Sequence, residues 1–290
     1  MTDIGFSLQP RYDCPQEQVI DLLKAAGFSA VSPVWSPELP LDFLSACVQK
    51  HNMVIQSLHA PHGGLAYLWN SKAPQSAKAQ SNILGCIEAC ARYEIPIAVV
   101  HGWQGLAYTF PDEPLDFSVF DRIVDFAGEK QVSIAFENLE GEEYLEALLT
   151  RYRDLPHVGY CWDSGHDHCY PHKTNFLKAY GDRLIMTHLN DNLGLRDPGG
   201  VPTGNDDLHF LPYDGNIRWE DAIGRLKNYP KQHILNFELK KRSASTAPGD
   251  LLYDSLSTAE YFRLAGCRAR RIADLYDRQM TDLSPNPNQA

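Results

Sequence analysis

Short runs of β-branched and apolar residues alternate with longer stretches whose apolar positions recur every three or four residues, from one end of the chain to the other. The short runs predict strands at 4–8, 30–35, 54–59, 97–103, 132–138, 158–163, 184–190 and 234–239. Between them the 3.6-residue period predicts helices at 16–26, closed by Gly27, and at 41–50, 75–93 and 117–130. A last helix is expected over 257–278. Strict alternation of strand and helix predicts a parallel sheet with the helices outside it. Eight repeats predict closure into a (β/α)8 barrel, one domain over residues 1–279 with 280–290 as a flexible polar tail. No G-x-G-x-x-G follows the first strand, which counts against a dinucleotide-binding sheet. One connection breaks the rhythm: 192–216 is long and rich in Gly, Pro and Asp, as functional loops are.

Composition narrows the partners more than the fold. A length of 290 residues suits one barrel, which typically takes about 250. A net charge of −11 argues against a sequence-independent grip on nucleic acid, which needs clustered Lys and Arg. The seven cysteines are scattered, none in C-x-x-C spacing; Cys86 and Cys90 fall on the inward side of a helical pattern. Reduced thiols in a cytoplasm are the simplest reading. The opening shows no basic leader before a long apolar run, and no apolar run nears the roughly 20 residues that cross a bilayer, so no membrane partner is expected.

The chemistry of such a barrel sits at the C-terminal ends of its strands. The third strand ends S-L-H at 59, the fourth V-V-H at 101 and the fifth F-E-N at 138. The sixth ends C-W-D-S-G-H at 166, the seventh T-H-L-N-D at 191 and the eighth N-F-E-L-K at 240. Six consecutive strands therefore bring His, Asp or Glu to one rim, and the long loop adds Asp207 and His209. His59 or His101 taken alone reads as a hydrogen-bonded strand end. Together, so many carboxylates and imidazoles would repel one another or be costly to desolvate unless a cation sits among them. Mixed imidazole and carboxylate donors suit a divalent metal: Mn, Zn, Mg or Co. Trp103, Asn138 and Lys240 are the nearest candidates for substrate contact, while Trp35 and Trp162 read equally well as core.

These motifs resemble the xylose-isomerase-like barrel superfamily, which holds sugar-phosphate isomerases and epimerases and the apurinic endonuclease IV family. The resemblance spans nearly the whole barrel and rests on F-E-N at 136–138, W-D-S-G-H at 162–166 and H-L-N-D-N at 188–192. D-x-H at 207–209, G-N-I-x-W at 215–219 and F-E-L-K at 237–240 complete it. In the isomerase and epimerase branch it implies one metal on Glu137, Asp163, His188 and Glu238, with the two glutamates as acid and base. In the endonuclease branch it implies three zinc ions, adding His59, His101, His166, Asp207 and His209. The first strand, I-G-F-S-L-Q, lacks the Gly- and Ala-rich opening of the endonucleases. The arginine that follows the seventh-strand histidine in epimerases is not evident, Arg196 being the nearest.

Two reactions fit one site. A metal-dependent sugar or sugar-phosphate isomerase or epimerase would move a proton through an enediolate, with Glu137 and Glu238 as the proton carriers. An endonuclease IV-like phosphodiester hydrolase acting on DNA would need the whole metal cluster and a cationic groove. The sequence favours the first, with a small carbohydrate as its partner and one to three metal ions; it leaves the oligomeric state open, although barrels of the family it resembles often pair.

Overall fold

The computed structural model describes residues 1–9, 12–242 and 245–281. Eight crossover units follow one another as expected. In order they are β1 (Asp3–Leu8), α1 (Gln16–Ala25), β2 (Ala30–Pro33) and α2 (Leu41–Lys50). Then come β3 (Val54–Ile55), β4 (Ser57–His59), α3 (Pro74–Arg92), β5 (Ile97–His101) and α4 (Ser118–Glu129). β6 (Ser133–Glu137), α5 (Glu142–Arg151), β7 (Val158–Asp163), α6 (Ser164–Cys169) and α7 (Phe176–Tyr180) follow. β8 (Leu184–His188), α8 (Trp219–Leu226), β9 (Ile234–Phe237) and α9 (Thr258–Thr281) complete the described chain. α9 runs past the expected end of the last helix, and residues 282–290 of the expected tail lie outside the described residues.

The expected third strand is present in two halves, β3 and β4, broken at Gln56. The break divides the hydrogen-bonding into two parallel sheets, β3-β2-β1-β9 and β4-β5-β6-β7-β8. Two seams close them into one barrel. At the first, Val34 bridges His59 and the Trp35 N–H donates to the His59 carbonyl at 2.9 Å. At the second, Leu189 bridges Phe237, with the Leu189 N–H on the Asn236 carbonyl at 2.9 Å and the Glu238 N–H on the Leu189 carbonyl at 3.1 Å.

The strand period of two decides what faces inward. Val99, Ala135, Cys161 and Met186 form a small buried cluster of their own. Two residues further along the same strands stand His101, Glu137, Asp163 and His188. The intervening Val100, Phe136 and Trp162 point outward and join the large core beneath the helices. A bulge sets this register: Tyr160 pairs with Leu184 but Cys161 with Met186, so Ile185 is skipped and Asp163 lies opposite His188. Gly159 makes room for it, since a Cβ there would come within 2.6 Å of the Ile185 side chain. Cys86 and Cys90 are fully buried, as their helical spacing predicts, and all seven cysteines are free. No described helix is long and apolar enough to cross a membrane.

Candidate metal centre

The C-terminal rim gathers His59, His101, Glu137, Asp163, His166, His188 and Glu238, while Asp191 turns to the loop that follows it. Glu137 stands at its middle, 1% exposed. Its Oε2 lies 3.0 Å from His188 Nδ1, 3.1 Å from His101 Nε2 and 3.3 Å from His59 Nε2. Its Oε1 lies 3.4 Å from His166 Nδ1. His188 Nδ1 is also 2.9 Å from Glu238 Oε2, so two carboxylates from different strands meet at one imidazole nitrogen. On the loop side, Asp207 Oδ2 is 2.8 Å from His209 Nε2, 3.5 Å from His166 Nε2 and 4.0 Å from Lys240 Nζ.

Burial penalises each of these charges, and the neighbours decide which survive. Burial pushes Glu137 up, but the His188 and His101 imidazoles outweigh it and hold the carboxyl well below the usual range. Glu238 is likewise held low against its burial, by His188 and His209. Asp207 is held low by His209 and His166. Asp163 goes the other way, to about 6, because burial and the Glu137 charge outweigh the help of His166. Despite their burial, both imidazoles are raised well above the ordinary value, His188 by Cys161, Glu137 and Glu238, and His166 by Asp163 and Asp207.

This donor set fits a divalent cation. One ligand atom from each of Glu137, Asp163, His188 and Glu238 lies within 4.8 Å of the others, as do those of His59, Glu137 and His188, and of His166, Asp207 and His209. His188 Nδ1, Glu137 Oε1 and Asp207 Oδ1 are buried with no aligned hydrogen-bond partner, although carboxylate oxygens lie 3.0 and 2.9 Å from His188 Nδ1 and His166 Nδ1 lies 3.4 Å from Glu137 Oε1. Lone pairs that converge without hydrogen-bond geometry are what a shared cation would satisfy.

The motifs around the centre hold it in place. Asp163 caps α6, accepting from the His166 N–H at 2.7 Å. Asn190 Nδ2 donates to both Asp163 oxygens, at 3.1 and 2.9 Å. The glycine of W-D-S-G-H is required here, since a Cβ on Gly165 would come 1.8 Å from Asn190 Oδ1. Asn138 is fully buried: its Oδ1 accepts from Tyr160 and from the Asp163 N–H, its Nδ2 donates to the Asp163 carbonyl, and its own carbonyl meets His166 Nδ1 at 2.9 Å. Trp103 stacks on Tyr144, ring centroids 4.3 Å apart, with its indole N–H on the Gly105 carbonyl. Lys240 is half-buried at the mouth beside Asp207, and its N–H donates to the His209 carbonyl at 3.1 Å.

One residue of the cluster was not among those expected from the sequence. His62 lies three positions past His59, in the loop after β4. Its ring sits 4.8 Å from that of His59 and 5.2 Å from that of His101, and the three offer another close group of ligand nitrogens. Burial, reinforced by the two neighbouring imidazoles, lowers its pKa to about 3. The signal available was the A-P-H spacing after the strand, which sequence reading passes over because the position belongs to a loop.

The geometry defines an α/β barrel with a buried His and carboxylate centre at its C-terminal rim. The sequence profile of the xylose isomerase-like TIM barrel family matches residues 20–260, and the chain belongs to that family. It is 27% identical to the uncharacterized protein y4fM of Sinorhizobium fredii, over 91% of this chain and 90% of that one. It superposes on L-ribulose 3-epimerase with a TM-score of 0.72 at 12% identity over 100% of both chains. On a zinc-bound IolI protein the TM-score is 0.69 at 18% identity, covering 96% of this chain and 99% of that one. At such identities the structural likenesses show the fold.

Proposed function

We propose that this chain is a divalent-metal-dependent isomerase or epimerase of a sugar or sugar phosphate, with Glu137 and Glu238 as its proton carriers. The observation that carries this reading is the meeting of those two carboxylates at His188 Nδ1, 3.0 and 2.9 Å away, both held ionised. An ionised carboxylate can take the proton from the carbon beside a carbonyl, leaving an enediolate. Returned by the same group to the neighbouring carbon, the proton completes an isomerisation. To invert the centre, one carboxylate keeps the abstracted proton while the other, having taken up a proton of its own in the substrate complex, delivers that second proton to the opposite face. Glu137, Asp163, His188 and Glu238 would hold the cation, which when bound draws charge from the substrate oxygens. Lys240, at the mouth, would contact a substrate oxygen. Neighbours whose names identify them as sugar epimerases support the substrate class. Phosphodiester hydrolysis has weaker support, because a net charge of −11 opposes a DNA backbone.

The test is elemental analysis of the purified protein, followed by chromatographic assay of free and phosphorylated ketoses with and without chelator. About one divalent ion per chain and chelator-sensitive turnover are expected. Glu137→Gln and Glu238→Gln should each lower kcat by about 10²- to 10⁴-fold, the usual contribution of a positioned acid or base. Full turnover in both variants would remove the acid–base role. Two or three Zn per chain with phosphodiesterase activity would replace this reading by the hydrolytic one.

A further inference from the structure

Trp162 and Asp163 are adjacent on β7 and point to opposite faces, so the strand that carries a rim carboxylate inward also carries a large aromatic outward. Trp162 is fully buried, yet its indole nitrogen has no hydrogen-bond partner. An indole N–H can only donate, and a buried donor left unpaired costs about 1–3 kcal/mol. Across the same space lies His172, whose Nε2 is also buried and unpaired. Both side chains line one cavity of about 390 Å³ outside the barrel, between the α6–α7 connection and α8. A water occupies about 30 Å³ of liquid, so this volume is far larger than one bridging water needs. It falls within the range of small-ligand sites, about 300–1,000 Å³.

The charges of the lining select the ligand. Two cationic side chains, Arg225 and Lys173, and one carboxylate, Asp167, line the cavity. Arg225 lies over the Trp162 ring, 5.7 Å from its centroid, and reaches Asp167 Oδ2 at 3.2 Å, which pins the guanidinium at the mouth. Glu142 is outside the lining; it keeps its charge, with its carboxylate turned to the backbone N–H groups of Lys173 and Thr174 at 3.0 and 2.8 Å. Burial lowers the pKa of His172, so its ring is neutral at pH 7 and adds no charge. Within the lining itself one positive charge is in excess, beside an unpaired indole donor and the apolar side chain of Ile217.

We propose that this cavity binds a small organic carboxylate, its anionic end between Arg225 and Lys173 and its body against Trp162. The site is separate from the rim centre and does not depend on what that centre catalyses.

The experiment is calorimetric titration of the whole protein with lactate, pyruvate and succinate, and in parallel with inorganic phosphate and glycerol, together with tryptophan fluorescence. Saturable 1:1 binding of at least one carboxylate is expected, with a fluorescence change that Trp162→Phe abolishes. Arg225→Gln and Lys173→Gln should each weaken that binding about tenfold, the scale of one lost charge-assisted hydrogen bond. Lys173 is on the surface, so its variant tests the site even if the Arg225 variant fails to fold. No saturable heat with any carboxylate, binding unchanged in both charge variants, or tighter binding of phosphate or glycerol would each overturn the proposal.

Discussion

Asp163 shows how a single carboxylate is prepared at this centre. Its oxygens take three hydrogen bonds, from the His166 N–H and twice from the Asn190 amide, and each favours the ionised form. Burial nevertheless pushes its pKa to about 6, so the carboxylate is oriented before it is fully charged. A cation in the centre would complete the ionisation. Asn190→Ala is therefore expected to leave the barrel folded while weakening metal binding about 10- to 100-fold, the usual cost of losing a group that orients a ligand. Competition against a chelating dye measures this, and an unchanged affinity would reduce Asn190 to a packing residue. Gly165→Ala should act on the same contact from the other side, since its Cβ would stand 1.8 Å from Asn190 Oδ1.

Among the elements, the 192–216 connection is held by one buried side chain at its root. Asp191 pairs with Phe210 through two backbone hydrogen bonds of 2.9 Å. Its carboxylate accepts from the N–H groups of Asn192, Tyr213 and Ile217 and from the Trp219 indole, at 2.8, 2.8, 3.0 and 2.9 Å. Gly215 must be glycine for the loop to come this close, as a Cβ there would lie 2.3 Å from Asp191 Oδ1. Asp191→Ala leaves those donors unpaired, at about 1–3 kcal/mol for each one buried. The expected outcome is rapid proteolytic cleavage confined to 192–216, with the circular dichroism of the barrel retained and Asp207 and His209 lost from the rim. Wild-type resistance to the protease would show that the loop is held elsewhere. Here the limits of sequence reading are clearest. The strand ends were legible because the two-residue period and the rim rule together locate His59, His101, Glu137, Asp163, His188 and Glu238. The D-x-H and G-N-I-x-W motifs were legible as signatures, but not the fact that Asp191 ties them together, because that depends on where a loop returns. His62 escaped for the same reason. The break at Gln56 and the skip at Ile185 were hidden too, since hydrophobic alternation reports faces and not the register between strands.

For the whole molecule, the last helix is tied to the residue that precedes the first strand. Thr2 donates to Asp277 twice, from its backbone N–H at 2.8 Å and its hydroxyl at 2.6 Å, and its carbonyl accepts from Arg270 at 2.8 Å. On the same helix, Gly266 lets α9 settle on the end of α1, where a Cβ would lie 2.1 Å from the Ala26 carbonyl oxygen. Partial burial pushes the Asp277 carboxyl up, but the two Thr2 bonds outweigh it and hold its pKa below the ordinary value. A carboxyl depressed in the folded state contributes stability above its unfolded value, near 4, and loses it as pH falls through the folded value. Asp277→Asn keeps the shape and removes the charge. At pH 7 it should lower stability by about 1 kcal/mol, the net worth of such a hydrogen bond, seen as a fall in Tm of about 2 °C for a chain of this size. As the pH falls from about 4 through the lowered folded value, the wild type progressively forfeits the same contribution, so the two melting curves should converge. A difference that persists undiminished at pH 3 would mean that shape, not charge, holds α9 to the barrel.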